Sequence, residues 1–251
     1  MMGIERAIVL SAGYGTRMRP LTHERPKPLV ELHGRTLIDR ALDRLVAIGI
    51  KEVVVNLHYL GDMLENHLRK RMALGEPPTI LFSDERDTVL DTGGGTKKAL
   101  PLLGEKPFIT FNSDSAWMEE MGSTLEQLIR FFDPERMDAA LLIADSVRTL
   151  GSVGRGDFDM DTSGRLRRRD KRAVAAFIYA GVQIIKPEVV AEGPDGAFSM
   201  NLIWDRLIEE DRLFGWRMRG TWMHVGTPHD LDAANHFIEG RLKLPDRGRE
   251  R

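Results

Sequence analysis

Short apolar runs alternate with amphipathic stretches over the first 145 residues. Ala7-Ile8-Val9-Leu10 predicts a buried strand, followed at once by a glycine-rich turn at 13–15. Residues 36–48 have helical spacing: Leu37, Ile38, Ala41, Leu42, Leu45 and Val46 form one stripe, Thr36 and Asp39 a capping box, and Gly49 a stop. Val53-Val54-Val55 predicts a second strand, 61–71 a second helix, 79–82 a third strand and 108–111 a fourth that ends at Asn112-Ser113-Asp114. A helix over 123–132, with Ser123 and Glu126 as capping box, leads to a fifth strand over 139–143. This alternation predicts an α/β fold, a doubly wound, mostly parallel, Rossmann-like sheet with helices on both faces. Ligands of such sheets bind outside the carboxyl ends of the strands. The segments 13–17 and 112–114 both follow directly after predicted strands.

The second half is less regular. Residues 157–169 predict a hairpin around Thr162-Ser163-Gly164, 176–185 a strand, 200–209 a helix, 222–225 a short strand and 228–242 a terminal helix. No repeat and no linker interrupts the chain, so 1–242 is expected to form a single domain and 243–251 a polar tail. Composition adds exclusions. The 251 residues are 42% hydrophobic and 29% charged, with 36 basic against 38 acidic side chains, a net charge of −2. That balance supplies no global attraction to nucleic acid or to anionic membranes. No apolar run is long enough to cross a bilayer, and nothing at the N-terminus resembles a signal peptide, so a cytoplasmic location is expected. The absence of Cys removes disulfides, thiolate metal sites and cysteine nucleophiles. Glycine, at 24, is plentiful enough that its positions matter.

The most specific segment is 10–29. Gly13 and Gly15 allow a sharp turn that brings backbone N–H groups close to an anion. Arg17 adds a planar fork suited to phosphate, and Lys27 a point charge. Pro26 and Pro28 flank Lys27 and are expected to hold its backbone extended. A dinucleotide fingerprint needs a third glycine where Met18 stands, and a Walker loop needs Gly-Lys-Ser/Thr; neither is present. A lone G-x-G is equally a surface turn. The run as a whole is not: it resembles the signature of the sugar-1-phosphate nucleotidyltransferases, G-x-G-T-R-[ML]-x-P-L-T followed by P-K-P-L. Gly13, Gly15, Thr16, Arg17, Met18, Pro20, Leu21, Thr22, Pro26, Lys27, Pro28 and Leu29 all match. The resemblance implies a nucleotide-diphospho-sugar transferase type of sheet. It also implies that Leu10, Ala12, Gly13, Gly15, Thr16 and Arg17 wrap a nucleoside triphosphate. Lys27 then neutralises the reacting phosphates and meets the sugar phosphate. A sugar-1-phosphate is largely dianionic near neutral pH, so its oxygen can attack the α-phosphorus without a dedicated base.

Three further segments extend the resemblance. Asp91-Thr92-Gly93-Gly94-Gly95-Thr96 places three glycines before a predicted helix, either as a flexible connection or as the family's nucleobase seat, with Gly93 and Gly94 on the nucleotide. The Thr-Gly-Gly-Gly version is similar to that of N-acetylmuramate-1-phosphate uridylyltransferases, whereas mannose-1-phosphate guanylyltransferases more often show Gly-Thr-Ala-Gly; UTP is therefore favoured. Asn112-Ser113-Asp114 matches the family's Asn-x-Asp, with Ser where Gly is usual, and implies Asn112 on the nucleotide and Asp114 on Mg²⁺, a hard cation that carboxylates suit. Trp222-Met223-His224-Val225-Gly226-Thr227-Pro228 resembles Trp-x-Asp-x-Gly-Thr-Pro, with His224 where the family's second metal-holding acid stands. Imidazole suits softer metals. Asp114 then holds Mg²⁺ with water and phosphates alone, or His224 acts through a bridging water, or another acid substitutes.

On the sugar side, Gly181 and Asn201 fall where relatives contact the sugar. The family's Glu-Lys-Pro lysine is missing, with Lys171 as a stand-in. The basic run 165–172 lacks interleaved aromatics and is expected to be a solvated hairpin arm rather than a nucleic-acid patch, the alternative being that one of its bases meets the sugar phosphate. The acids of 157–161 imitate a metal loop, but apolar Phe158 and Met160 alternate with them as on a half-buried strand. The expected reaction is NTP plus sugar-1-phosphate to NDP-sugar and pyrophosphate with Mg²⁺, UTP and N-acetylmuramate-1-phosphate being favoured, as in peptidoglycan recycling. The alternatives are a mannose-1-phosphate guanylyltransferase, a nucleotide-sugar sensor that lost turnover with His224, and a glycosyltransferase, which has no reason to carry Pro26-Lys27-Pro28.

Overall fold

The computed structural model describes residues 3–151, 154–170 and 172–242; Lys171 and the expected tail at 243–251 lie outside them. β1 (Arg6–Leu10) enters the sheet first, and a small hairpin of β2 (Glu31–Leu32) and β3 (Arg35–Thr36) precedes α1 (Leu37–Ala47). β4 (Glu52–Leu57), α2 (Gly61–Ala73), β5 (Thr79–Asp84), α3 (Asp91–Leu103) and β6 (Phe108–Asn112) complete the first half. β7 (Ser115–Glu119), α4 (Thr124–Phe131), β8 (Ala139–Asp145), β9 (Phe158–Met160), β10 (Leu166–Arg168) and β11 (Phe177–Ile185) follow. α5 (Pro187–Ala191), α6 (Asn201–Glu209), β12 (Leu213–Arg217), β13 (Gly220–His224) and α7 (Pro228–Leu242) close the described chain.

The main sheet runs β10-β9-β11-β6-β1-β4-β5, with β8 on β11 and β12 on β8. β6, β1, β4 and β5 are parallel, and so are β8 and β12. β11 runs against both β6 and β8, and the predicted hairpin β9–β10 flanks it. The mostly parallel expectation therefore holds with β11 as the reversed central strand. Among the described residues, a single 3-10 turn (Ser146–Arg148) and the β9–β10 hairpin lie between β8 and β11, with no α-helix to return the chain in the parallel sense. The sequence reading missed β7 and β12; β7 leaves the main sheet and pairs instead with β13 as an antiparallel ribbon.

The central parallel strands β1, β4 and β6 are mostly apolar because they are buried on both faces, whereas the edge strand β5 is only partly buried. Val9, Val53 and Val55 pack with Ile38, Leu42 and Leu45 of α1, while Ile8 and Val54 pack with Ala99 and Leu103 of α3. The predicted caps form: Thr36 Oγ1 accepts from the Asp39 N–H at 3.2 Å and Ser123 Oγ from Glu126 N–H at 3.3 Å. A third apolar cluster joins Met18, Val30 and Leu37 to Met223, Val225, Leu231 and Ile238. It ties the glycine-rich loop to β13 and α7.

Two local expectations are corrected. Lys27 is not extended: Pro26 is, at φ −67° and ψ 149°, but Lys27–Leu29 forms a 3-10 turn closed by Val30 N–H on Lys27 O at 3.0 Å. The preference of a residue before proline for extended backbone loses here to the packing of Pro28 in the interior. The three glycines do not precede α3 but form its first turns.

Candidate active site

The chain builds outward from β1 through β4 to β5, then crosses back through α3 to place β6 on the other side of β1. At the carboxyl ends of β1 and β6, Leu10 and Asn112 are register partners. This is the point where strand order reverses, the place such sheets open for a ligand. Two adjoining cavities of about 470 Å³ each meet there, and Leu10, Arg17, Asp91, Thr92, Asn112 and Asp114 line both.

The first cavity is walled by the loop after β1, including Ala12, Gly13, Gly15, Thr16 and Lys27. Gly15 sits at φ +62°, and a Cβ on it would lie 3.1 Å from both Lys27 Cβ and Thr22 Cγ2. Its carbonyl accepts from Thr22 Oγ1 at 2.8 Å. The start of the loop is held by Asn56, whose Oδ1 accepts from Ser11 N–H at 2.6 Å and whose Nδ2 donates to Glu85 Oε1 at 2.8 Å. Burial raises the Glu85 carboxyl above its usual range. Asn56 and Glu85 were not read from the sequence; an isolated Asn at the end of an apolar strand gives no signal.

Lys27 Nζ donates to Asp114 Oδ2 at 2.6 Å, the side chains being 13% and 26% exposed. The two residues are 87 apart in sequence and meet because β6 ends beside the loop. Burial alone would raise the Asp114 carboxyl, but the Lys27 ammonium outweighs it and holds it below the usual carboxylate range. Asp114 therefore presents a negative charge at neutral pH. His224 faces the same space: a Cβ on Gly226 would lie 2.4 Å from its Nε2, so Gly226 makes room for the ring. Burial lowers the His224 pKa, with Asp114 opposing. The motif around it is structural as well: Trp222 Nε1 donates to Ser115 Oγ at 2.9 Å, and Thr227 Oγ1 caps α7 by accepting from Asp230 N–H at 3.1 Å.

The second cavity lies beyond β6, where β11 bulges between Tyr179 and Gln183. Gly181, at φ +78°, takes that bulge because a Cβ would lie 2.8 Å from Ser115 Cβ. Thr110, Gln183, Tyr179 and Trp204 line this cavity together with Ser199, Asn201 and Arg168. Burial raises the Tyr179 hydroxyl, which stays protonated. Of the sugar-side residues expected from sequence, Gly181 and Asn201 are here. Arg168, one of several bases in the hairpin arm among which the sequence does not choose, is here too. The acids of the imitation metal loop serve the backbone: Asp157 Oδ2 accepts from Tyr179 N–H at 2.9 Å and Asp159 Oδ1 from Ala176 N–H at 3.1 Å.

Gly93 and Gly94 sit beneath the cavities, not in their walls. Their N–H groups donate to Phe198 O at 2.9 and 3.1 Å. A Cβ on Gly93 would lie 2.3 Å from the Phe198 ring, one on Gly94 2.2 Å from Gly196 O, and one on Gly95 2.8 Å from Glu85 Oε1. Their missing side chains thus admit neighbouring protein. The walls there are Asp91, held at φ +59°, and Thr92. Among the described residues no three His, Cys, Asp or Glu side chains are grouped to hold a metal ion.

Residues 6–241 match the nucleotidyl transferase family. The chain belongs to that family. It is 49% identical over 228 residues, 91% of this chain and 94% of the other, to N-acetylmuramate alpha-1-phosphate uridylyltransferase of Caulobacter vibrioides. It is 31% identical over 224 residues, 88% of this chain and 93% of the other, to the protein of the same name from Neisseria meningitidis serogroup B. Among solved structures, an apo UDP-glucose pyrophosphorylase superposes with a TM-score of 0.76 at 16% identity, covering 95% of this chain and all of that one. The last likeness establishes the nucleotidyl transferase fold, into which the loop after β1, the end of β6 and the end of β13 are built.

Proposed function

We propose that the chain is a uridylyltransferase that converts UTP and N-acetylmuramate α-1-phosphate to UDP-N-acetylmuramate and pyrophosphate. The observation that carries the reading is the meeting of two equal cavities at Arg17 and Asp114 in a chain 49% identical to a relative of that name. The cavity under the glycine-rich loop takes the nucleotide, and the cavity beyond β6 takes the sugar phosphate. A sugar-phosphate oxygen attacks the α-phosphorus, the bond to the β-phosphate breaks, and pyrophosphate leaves with its electron pair. Arg17 offers both cavities a planar donor fork and Lys27 a point charge, so positioning and charge stabilisation supply the catalysis. No side chain need take a proton, because the attacking phosphate is already ionised.

The donor set fits Mg²⁺ through one carboxylate. Lys27 engages Asp114 Oδ2. Mg²⁺ commonly takes one or two carboxylates and completes its shell with water and substrate phosphates. When bound, the ion neutralises charge on the phosphates. His224 is an unsuitable direct ligand for so hard a cation.

The test is pyrophosphate release over a panel of nucleoside triphosphates and sugar-1-phosphates with Mg²⁺ or Mn²⁺. UTP with N-acetylmuramate-1-phosphate is expected to lead. Preference for GTP with mannose-1-phosphate overturns the substrate pair, and binding without release in every combination overturns the enzyme reading.

A further inference from the structure

Two arginines, Arg17 and Arg168, line the outer cavity. Arg168 lines this cavity beyond β6 but not the one under the glycine-rich loop, whereas Arg17 lines both. The Arg168 guanidinium is built in. Nε donates to Asp205 Oδ1 at 2.6 Å, Nη2 to Asn201 Oδ1 at 2.8 Å, and the guanidinium carbon lies 4.7 Å from the Phe158 ring centre and 5.7 Å from that of Trp204. The aromatic floor is fixed in turn: Trp204 Nε1 donates to Gln183 Oε1 at 2.8 Å and the Tyr179 ring packs edge-on at 4.7 Å. Asn201 Nδ2 donates to Ser199 Oγ at 3.1 Å. Among the described residues Nη1 has no hydrogen-bond partner, and Asp205 is 56% exposed, so solvent screens much of its charge.

A guanidinium held this rigidly has lost its side-chain entropy before a ligand arrives, and its fork matches a planar carboxylate. On the proposed function the substrate's phosphate reacts where the cavities meet, at Arg17 and Asp114, which line both, whereas Arg168 lines only the outer one. That leaves Arg168 the part of the sugar pointing away from the phosphate. N-acetylmuramate differs from N-acetylglucosamine by an ether-linked lactyl group that ends in a carboxylate. Resting on the proposed function, we propose that Arg168, oriented by Asn201 and Asp205 and stacked on Phe158 and Trp204, selects sugar-1-phosphates that carry a carboxylate on the ring.

The experiment measures kcat/KM with N-acetylmuramate-1-phosphate and with N-acetylglucosamine-1-phosphate, which lacks only the lactyl group, for the wild type, Arg168→Ala and Arg168→Lys. The readout is the ratio between the two sugars, so a general loss from misfolding cancels. A charge-assisted contact of this kind corresponds to a discrimination of about 10- to 100-fold. Arg168→Ala is expected to erase that factor, mainly through KM for the muramate sugar. Arg168→Lys, which keeps charge and stem but not the fork, is expected to restore part of it. An unchanged ratio, or an equal fall for both sugars, overturns the assignment while leaving the proposed function standing. A wild type that does not use N-acetylmuramate-1-phosphate overturns both, and that result is read without any variant.

Discussion

Alanine at Gly94 separates two readings of the glycine triplet. The added Cβ would lie 2.2 Å from Gly196 O and 3.1 Å from Leu90 Cβ, more than about 1 Å inside van der Waals contact with the carbonyl. Neither neighbour is the free end of a side chain. The segment must therefore move, and it is tied to α3 by Gly93 and Gly94 N–H on Phe198 O, by Phe198 N–H on Leu90 O at 3.1 Å and by Met200 N–H on Thr92 Oγ1 at 3.0 Å. Overpacking costs about 2 kcal/mol, and two hydrogen bonds about 1 kcal/mol each. Alanine's better helix propensity returns about 1 kcal/mol, leaving a loss of about 3 kcal/mol. For a chain of this size that lowers Tm by about 6–12 °C. Gly240→Ala in α7, where no atom lies within 4 Å of the new Cβ, serves as control and should leave Tm unchanged or slightly raised. Thermal unfolding of both variants, with KM for UTP in parallel, gives the answer. Gly94→Ala melting with the wild type while KM for UTP rises would refute the packing argument and favour the triplet as a nucleobase seat.

Asp114→Asn should lower kcat about 10²- to 10³-fold, since it removes the negative charge at the cavity junction, and should lower Tm as well, since it leaves the largely buried Lys27 ammonium without its partner; near-normal turnover excludes it as the metal-holding group. His224→Asp should preserve or raise Mg²⁺-dependent pyrophosphate release, and loss of activity with an unchanged melting curve would give the imidazole a role of its own. Asp39, buried beside His67 and Arg71, supplies a pH-dependent term. Burial raises its carboxyl, but hydrogen bonds with His67 and Thr36 outweigh that and hold it at about 2, against 3.8 when unfolded. A depressed folded value contributes stability that is present above about pH 4 and is lost as the pH falls through about 2, here about 2 kcal/mol. Urea midpoints from pH 5 to 2 should therefore fall more steeply for the wild type than for Asp39→Asn; parallel curves would contradict this.

Much of the site was legible because its residues are local in sequence. The turn at Gly15, the exposed Arg17 and the Asn112-Ser113-Asp114 corner each follow an apolar strand, and an apolar strand buried on both faces leaves few ways to fold. The same holds for α1 and α4, whose stripes and caps lie within a few residues of one another. Sugar-side residues were harder. Gly181 and Asn201 were named by family resemblance, but Arg168 looked like its neighbours Arg167 and Arg169 until the hairpin docked on β11.

The sequence by itself determined most of the elements, the parallel half of the sheet and the family, because periodicity, caps and a contiguous signature are short-range properties. Only the tertiary structure decided that β11 runs in reverse, that Lys27 pairs with Asp114, that Gly93–Gly95 admit Phe198 and Glu85, and that one arginine of a basic run enters the cavity. Each depends on contacts between segments tens of residues apart. Which partner a side chain meets there is set by how whole strands and helices pack, and no local pattern encodes it.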